Sequence, residues 1–285
     1  MSLKKVLFII VISFVFSCKT ENKMSSDKLT DKLTDKERDS IAKRFDDISV
    51  YFIQPSQIHR EYKDSAIAIH PEKVDYIQRL SYSYKKVGDH IKAMEILNKA
   101  VDIDTAKGQV NALQYRAWTL LYYYRDYEGA IKDVDLIEKI TGDKYSACWG
   151  EPCGLQKGEA LYKLGKYDEA IKEFITVNEE EEKLGFNITD NHLVFFYLGR
   201  CYAEKEDYKN AIINFEKSLK GAYNMFPEAY YQLGLIYKNQ KDYIKAKECF
   251  LKAKEMPEYK MNEPYFERFD EVFPYMIEKE LKELN

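Results

Sequence analysis

Cys148 and Cys153 stand five positions apart in DKYSACWGEPCG, a stretch whose Gly and Pro residues turn the chain. Two thiols at that spacing can close a local disulfide in an oxidising compartment, or remain two free thiols of a surface loop. Zinc would need more: a C-x4-C pair lacks half of a tetrahedral site unless a second pair or neighbouring histidines complete it. His59, His70, His90 and His192 are dispersed, with no H-E-x-x-H spacing. No metal site follows. A G-x-S-x-G turn, a phosphate-cradling Gly loop and a recognisable Cys/His nucleophile pair are also missing from the sequence. The reading therefore names no catalytic residue, no cofactor and no small-molecule substrate. Cys201 and Cys249 fall inside apolar helical patterns and read as buried small hydrophobes.

The first cysteine has a different setting. Lys4 and Lys5 precede an apolar run from Val6 to Phe16, closed by Ser17 and Cys18. This is the pattern of a secretory leader, and the run is too short for a span of about 20 residues. Val15-Phe16-Ser17-Cys18 resembles a bacterial lipobox, which implies lipidation of Cys18 and loss of the preceding residues. An ordinary secretion signal cut nearby and an uncleaved anchor are the alternatives. The formal charge of −4 becomes −6 when Lys4 and Lys5 leave with the leader, which disfavours nucleic acid as a partner. Residues 19–39 are polar with a doubled DKLT, a tether of about 25 Å reach on square-root scaling. Asp39-Ser40-Ile41, Asp64-Ser65-Ala66 and Asp104-Thr105-Ala106 resemble the short O-glycosylation motif of exported Bacteroidota proteins.

The elements that would position any site are helical. Pro227–Ala253, PEAYYQLGLIYKNQKDYIKAKECFLKA, has apolar residues at three and four positions on both sides of a polar turn, the pattern of two amphipathic helices in a hairpin. Gly234 and Ala246 lack bulk where the axes should cross, and Tyr237, Tyr243 and Phe250 are large enough to fill around them. One hairpin cannot bury both faces, so neighbours of the same kind must stack on it. Tyr230, Leu233, Gly234, Tyr237, Ala246 and Phe250 resemble the tetratricopeptide spacing, with Tyr for Trp.

The resemblance implies an all-α fold, a right-handed α-solenoid of about five repeats plus end helices. Units fall near 74–105, 111–142, 155–184, 192–222 and 227–256, after a cap or degenerate repeat at 40–73 and before a capping helix at 262–284. The aligned Ala93, Ala130, Ala170, Ala211 and Ala246 give periods of 37, 40, 41 and 35, against about 34 for the family, so the excess sits in inter-repeat loops. Trp118 falls where a small residue belongs. Either the register slips by one there or the two helices splay.

In such arrays the first helix of each pair lines a concave groove. The positions expected to face it include Tyr82, Tyr115, Tyr122, Tyr123, Tyr162, Phe196, Tyr197 and Tyr231, although the same rings could complete packing between repeats. Rings with polar tips make large contacts at low entropy cost, which suits a peptide or a helix. The paired Lys and Asn with which some family members grip a terminal carboxylate are not found here. The expectation is a non-catalytic, lipid-anchored scaffold of the bacterial envelope, at the outer membrane facing periplasm or surface, with a protein or peptide partner. The rivals are a glycan-binding surface lipoprotein and an uncharacterised hydrolase.

Overall fold

The structure is a computed structural model that describes residues 33–143, 147–187, 189, 191–256 and 269–284. The leader, Cys18 and most of the tether lie outside the described residues. The chain divides into two compact units, one ending at Ala93 and one beginning at Met94.

In the first unit α1 (Asp35–Ser49) and α2 (Gln57–Ile69) pair, and α3 (Val74–Lys86) packs on α2. The start of α1 corrects the tether boundary, because the helix begins inside the segment read as unstructured. Thr34 accepts from the Glu37 amide at 3.3 Å while the Glu37 carboxylate accepts from the Thr34 amide at 2.9 Å. This reciprocal cap satisfies two orphan donors and starts the helix, although the sequence around it is polar. Ala42, Ala66 and Tyr76 form the core with Phe45, Ile67 and Ile69 against them. Buried Asp46 pairs with Lys63 and, at 3.2 Å, with Arg79. Burial lowers the Lys63 pKa, with Asp46 opposing the shift.

α4 (His90–Ala106) runs across the boundary. The second unit continues with α5 (Asn111–Trp118), prolonged by a π-helical turn (Thr119–Tyr124), and α6 (Tyr127–Thr141). Three further pairs follow: α7 (Cys153–Lys163) and α8 (Tyr167–Lys183), α9 (His192–Glu204) and α10 (Tyr208–Gly221), α11 (Pro227–Asn239) and α12 (Tyr243–Glu255); α13 (Pro274–Glu283) closes the chain. From α5 onward each helix packs on the next, and α7, α9 and α11 also touch in sequence. The fold is an all-α solenoid of stacked helix pairs.

The pairs cross where the sequence lacks bulk. A Cβ on Gly158, Gly199 or Gly234 would lie 2.4, 2.7 or 2.6 Å from the ring of Phe174, Phe215 or Phe250 respectively. Each of these phenylalanines is fully buried, a burial worth about 2 kcal/mol that depends on the missing side chain opposite. Asp126, Asp207 and Asp242 cap the second helices by accepting from the amides of Gly129, Asn210 and Lys245 at 2.9, 3.2 and 3.2 Å.

Trp118 is explained by the π turn. In the three regular pairs the glycine stands twelve residues before the aligned alanine, whereas Ala117 stands thirteen before Ala130. The wider turn absorbs the added residue, which by spacing puts Ala117 at the glycine position and Val134 at the phenylalanine position, both fully buried. The register slips by one, as the first alternative held, and Trp118 is left facing elsewhere.

The insert before α7 is a minimal hairpin, Ala147–Cys148 paired antiparallel with Glu151–Pro152. Its turn residues Trp149 and Gly150 have φ of 57° and 96°, the conformation of a type I′ turn. Cys148 and Cys153 are bonded, and Gln156 donates to the Cys148 carbonyl at 2.7 Å.

The C-terminal reading requires correction. Residues 269–273 are irregular and the helix starts only at Pro274, whose ring holds Phe273 extended at φ −101° and ψ 150°. Phe269, inside the span expected for a capping helix at 262–284, goes elsewhere.

Candidate functional site

The inner helices present their residues at helical spacing. α7 offers Glu159, Tyr162 and Lys163, α9 offers Tyr197 and Arg200, and α5 with its π turn offers Tyr115, Trp118 and Tyr122. Stacking the pairs brings these three faces together. Phe269 enters between them and is 6% exposed. Its ring stacks on Tyr122 at 5.7 Å and meets Tyr127 edge-on at 5.9 Å. The Arg125 guanidinium lies 4.4 Å from the Phe269 centroid and the Lys163 ammonium 5.2 Å, distances at which the ring quadrupole attracts a cation. Arg125 owes its place to the α5–α6 turn, where it adopts φ 57°.

The backbone and the next side chain are held as well. The Phe269 amide donates to the Tyr197 hydroxyl at 3.2 Å. The Asp270 carboxylate lies 3.7 Å from both Lys163 and Arg200. Burial raises the Tyr162 phenol, Arg200 opposes the shift, and the Asp270 carboxylate facing it adds to the rise.

Beneath the ring is a buried polar floor. The Tyr122 hydroxyl donates to Glu159 and also lies 3.0 Å from a Glu151 oxygen. Glu159 is 1% exposed, and its pKa is pushed well up by burial first and by the Glu151 charge second. Burial and the neighbouring Glu151 carboxylate thus both favour the neutral form of Glu159, while its hydrogen bonds from Tyr122 and Tyr197 oppose that shift. Glu151 is carried by the disulfide-closed hairpin, so the insert contributes directly to the floor. On the hairpin tip, Trp149 packs on Tyr115 at 4.8 Å. Tyr115 stacks on Trp118 at 6.1 Å and Trp118 meets Tyr122 at 5.8 Å, so a chain of rings leads from the insert to Phe269.

The structure distributes the eight expected groove residues unevenly. Tyr122, Tyr162 and Tyr197 converge on Phe269 and Asp270, and Tyr115 joins them through Trp118. Tyr231 packs against Phe250 at 5.6 Å, and Tyr123 pairs with Tyr124 at 5.0 Å. Tyr82, in the first unit, sits beneath Lys85 and Lys86. Phe196 is fully buried between Phe215 of its own helix pair and Phe226 at the start of the next, so its ring takes part in packing within and between repeats. Sequence reasoning missed Arg125, Glu159, Lys163, Arg200, Phe269 and Asp270. Spacing three residues from Tyr162 and Tyr197 could have found Glu159 and Arg200, and Lys163 lies four beyond Glu159 on the same face. Nothing local marks Phe269 or Asp270.

With each other as partners, Cys148 and Cys153 are unavailable to a metal while bonded. Among the described residues, no group of three or more His, Cys, Asp or Glu side chains could hold an ion.

Residues 74–107, 155–183, 194–220 and 227–259 match the family model described as tetratricopeptide repeat, so the chain carries tetratricopeptide repeats. The matched segments pass over the pair with the π turn. No curated protein matches the sequence. PilW, a widely conserved type IV pilus biogenesis factor, is similar in fold at a TM-score of 0.58 and 14% identity, covering 75% of this chain and 92% of that one. BtubC from P. vanneervenii reaches 0.57 at 18% identity, with 78% and 96% covered. The Pseudomonas aeruginosa pilF structure reaches 0.56 at 16% identity, with 76% and 92% covered. At such identity the likeness is one of fold.

Proposed function

We propose that the chain is a non-catalytic interaction scaffold, anchored in a bacterial envelope through lipidated Cys18, whose inner face on α5, α7 and α9 binds a peptide segment of a protein partner. The observation that carries this reading is that the face grips a segment of its own chain, with Phe269 and Asp270 held by ring, backbone and charge contacts at once. Repeat solenoids use such inner surfaces for extended binding. The envelope part rests on the leader pattern and on Cys18. The likeness in fold to PilW, a type IV pilus biogenesis factor, makes an assembly role the first to test.

Sugar stacking is the weaker alternative. It needs open ring faces, and those of Tyr122, Tyr162 and Tyr197 are buried.

Two experiments test the reading. Metabolic labelling with an acyl probe should mark the chain, and Cys18→Ala should abolish the label. A photo-crosslinker at Tyr123, which flanks the site, should return a defined protein complex from envelopes. Retention on polysaccharide with no protein crosslinked would overturn the proposal.

A further inference from the structure

We infer that the pocket around Phe269 and Asp270 recognises a partner segment in which an aromatic residue is followed directly by an acidic one, and that the chain's own Phe269–Asp270 occupies it in cis. This rests on the proposed peptide-binding role of the inner face and names the chemistry it selects. Three features of one dipeptide are read together. Tyr122, Tyr127 and Arg125 surround the ring, the Tyr197 hydroxyl accepts the backbone N–H of the aromatic residue, and Lys163 with Arg200 face the acid one position on. Arg125, Lys163 and Arg200, the last also paired with Glu204 at 3.0 Å, place three cations around the dipeptide in a chain of net charge −4, which complements an acidic ligand.

The cis occupant fits incompletely. Asp270 Oδ2 and Arg200 Nε are both buried without a hydrogen-bond partner, and the ion pairs at 3.7 Å are longer than the roughly 2.8 Å of a charge-assisted bond. A carboxylate free to settle against the guanidinium would close bonds that Asp270, held at φ 60°, leaves open. Displacement also breaks no helix or strand. Residues 269–273 belong to no helix or strand, and α13 keeps its own anchor through Lys238, which pairs with Glu280 and Glu283 at 2.5 Å each.

The test uses the full chain and a labelled peptide, ERFDEVF, which copies residues 267–273. A tethered segment competes at an effective concentration of roughly millimolar, so the double variant F269A/D270N should bind the peptide at least about tenfold more tightly than the unaltered chain. On that variant, a peptide with Ala for the first Phe or with Asn for the Asp should lose about tenfold, as should addition of Arg200→Met. If the double variant fails to fold, hydrogen exchange on the unaltered chain replaces it: excess ERFDEVF should accelerate exchange at the Phe269 amide, and the Asn peptide should not. Equal binding of all three peptides, or a Phe269 amide indifferent to saturating peptide, overturns the inference. A protein crosslinked to the face in envelopes but not displaced by ERFDEVF would also overturn it, while leaving the scaffold role standing.

Discussion

The amide of Phe269 donates to the Tyr197 hydroxyl at 3.2 Å across 72 positions of sequence. Through that bond an irregular C-terminal segment is fastened to an inner helix, and the same phenol faces the buried Glu159, whose charge raises the Tyr197 pKa beyond what burial alone does. Removing the ring from this arrangement should be costly. Phe269→Ala is expected to destabilise by about 3 kcal/mol, near the low end for a buried phenylalanine, and chemical denaturation read by tyrosine fluorescence measures it.

Glu159 should give stability a pH dependence of unusual sign. Its folded pKa lies above the ordinary carboxyl value near 4.5, so the native state binds its proton more tightly than the unfolded chain does. Its contribution is complete below the unfolded pKa and is lost as pH rises through the folded one. Glu159→Gln, which stays neutral, should flatten that fall. The comparison of denaturation midpoints from pH 4 upward decides it, and an equal slope in both proteins would count against a raised Glu159 pKa.

The crossing glycines make a steric prediction. Gly199→Ala places a Cβ 2.7 Å from the Phe215 ring and should cost about 1–3 kcal/mol. Adding Phe215→Leu should recover part of the loss, as Ala117 with Val134 already does in the pair with the π turn. Thermal unfolding of the single and double variants reads the coupling.

Opening the Cys148–Cys153 bond should weaken the floor locally. The closed loop is short, so chain entropy accounts for about 2 kcal/mol. Because Trp149 sits at the hairpin tip against Tyr115, reductant or Cys148→Ser should change its fluorescence before global unfolding.

The repeats were legible because their determinants are local. Gly158, Gly199 and Gly234 sit at fixed offsets from their phenylalanines, and hairpin packing follows from spacing within some thirty residues. Even Trp118 announced a departure, although whether the register slipped was open until the π turn appeared. The start of α1 was misjudged for a related reason: a capping box can nucleate a helix in polar sequence, and hydrophobic pattern does not register it.

The sequence by itself determined the all-α solenoid, the hairpin register and the cysteine pair as a candidate bond. Only the tertiary structure decided what the inner face holds. Stacking brings Tyr122, Tyr162 and Tyr197 from three separate pairs to one place, and Phe269 reaches them from beyond the last repeat. Such contacts arise from the path of the folded chain through space, and no periodicity along the sequence encodes that path.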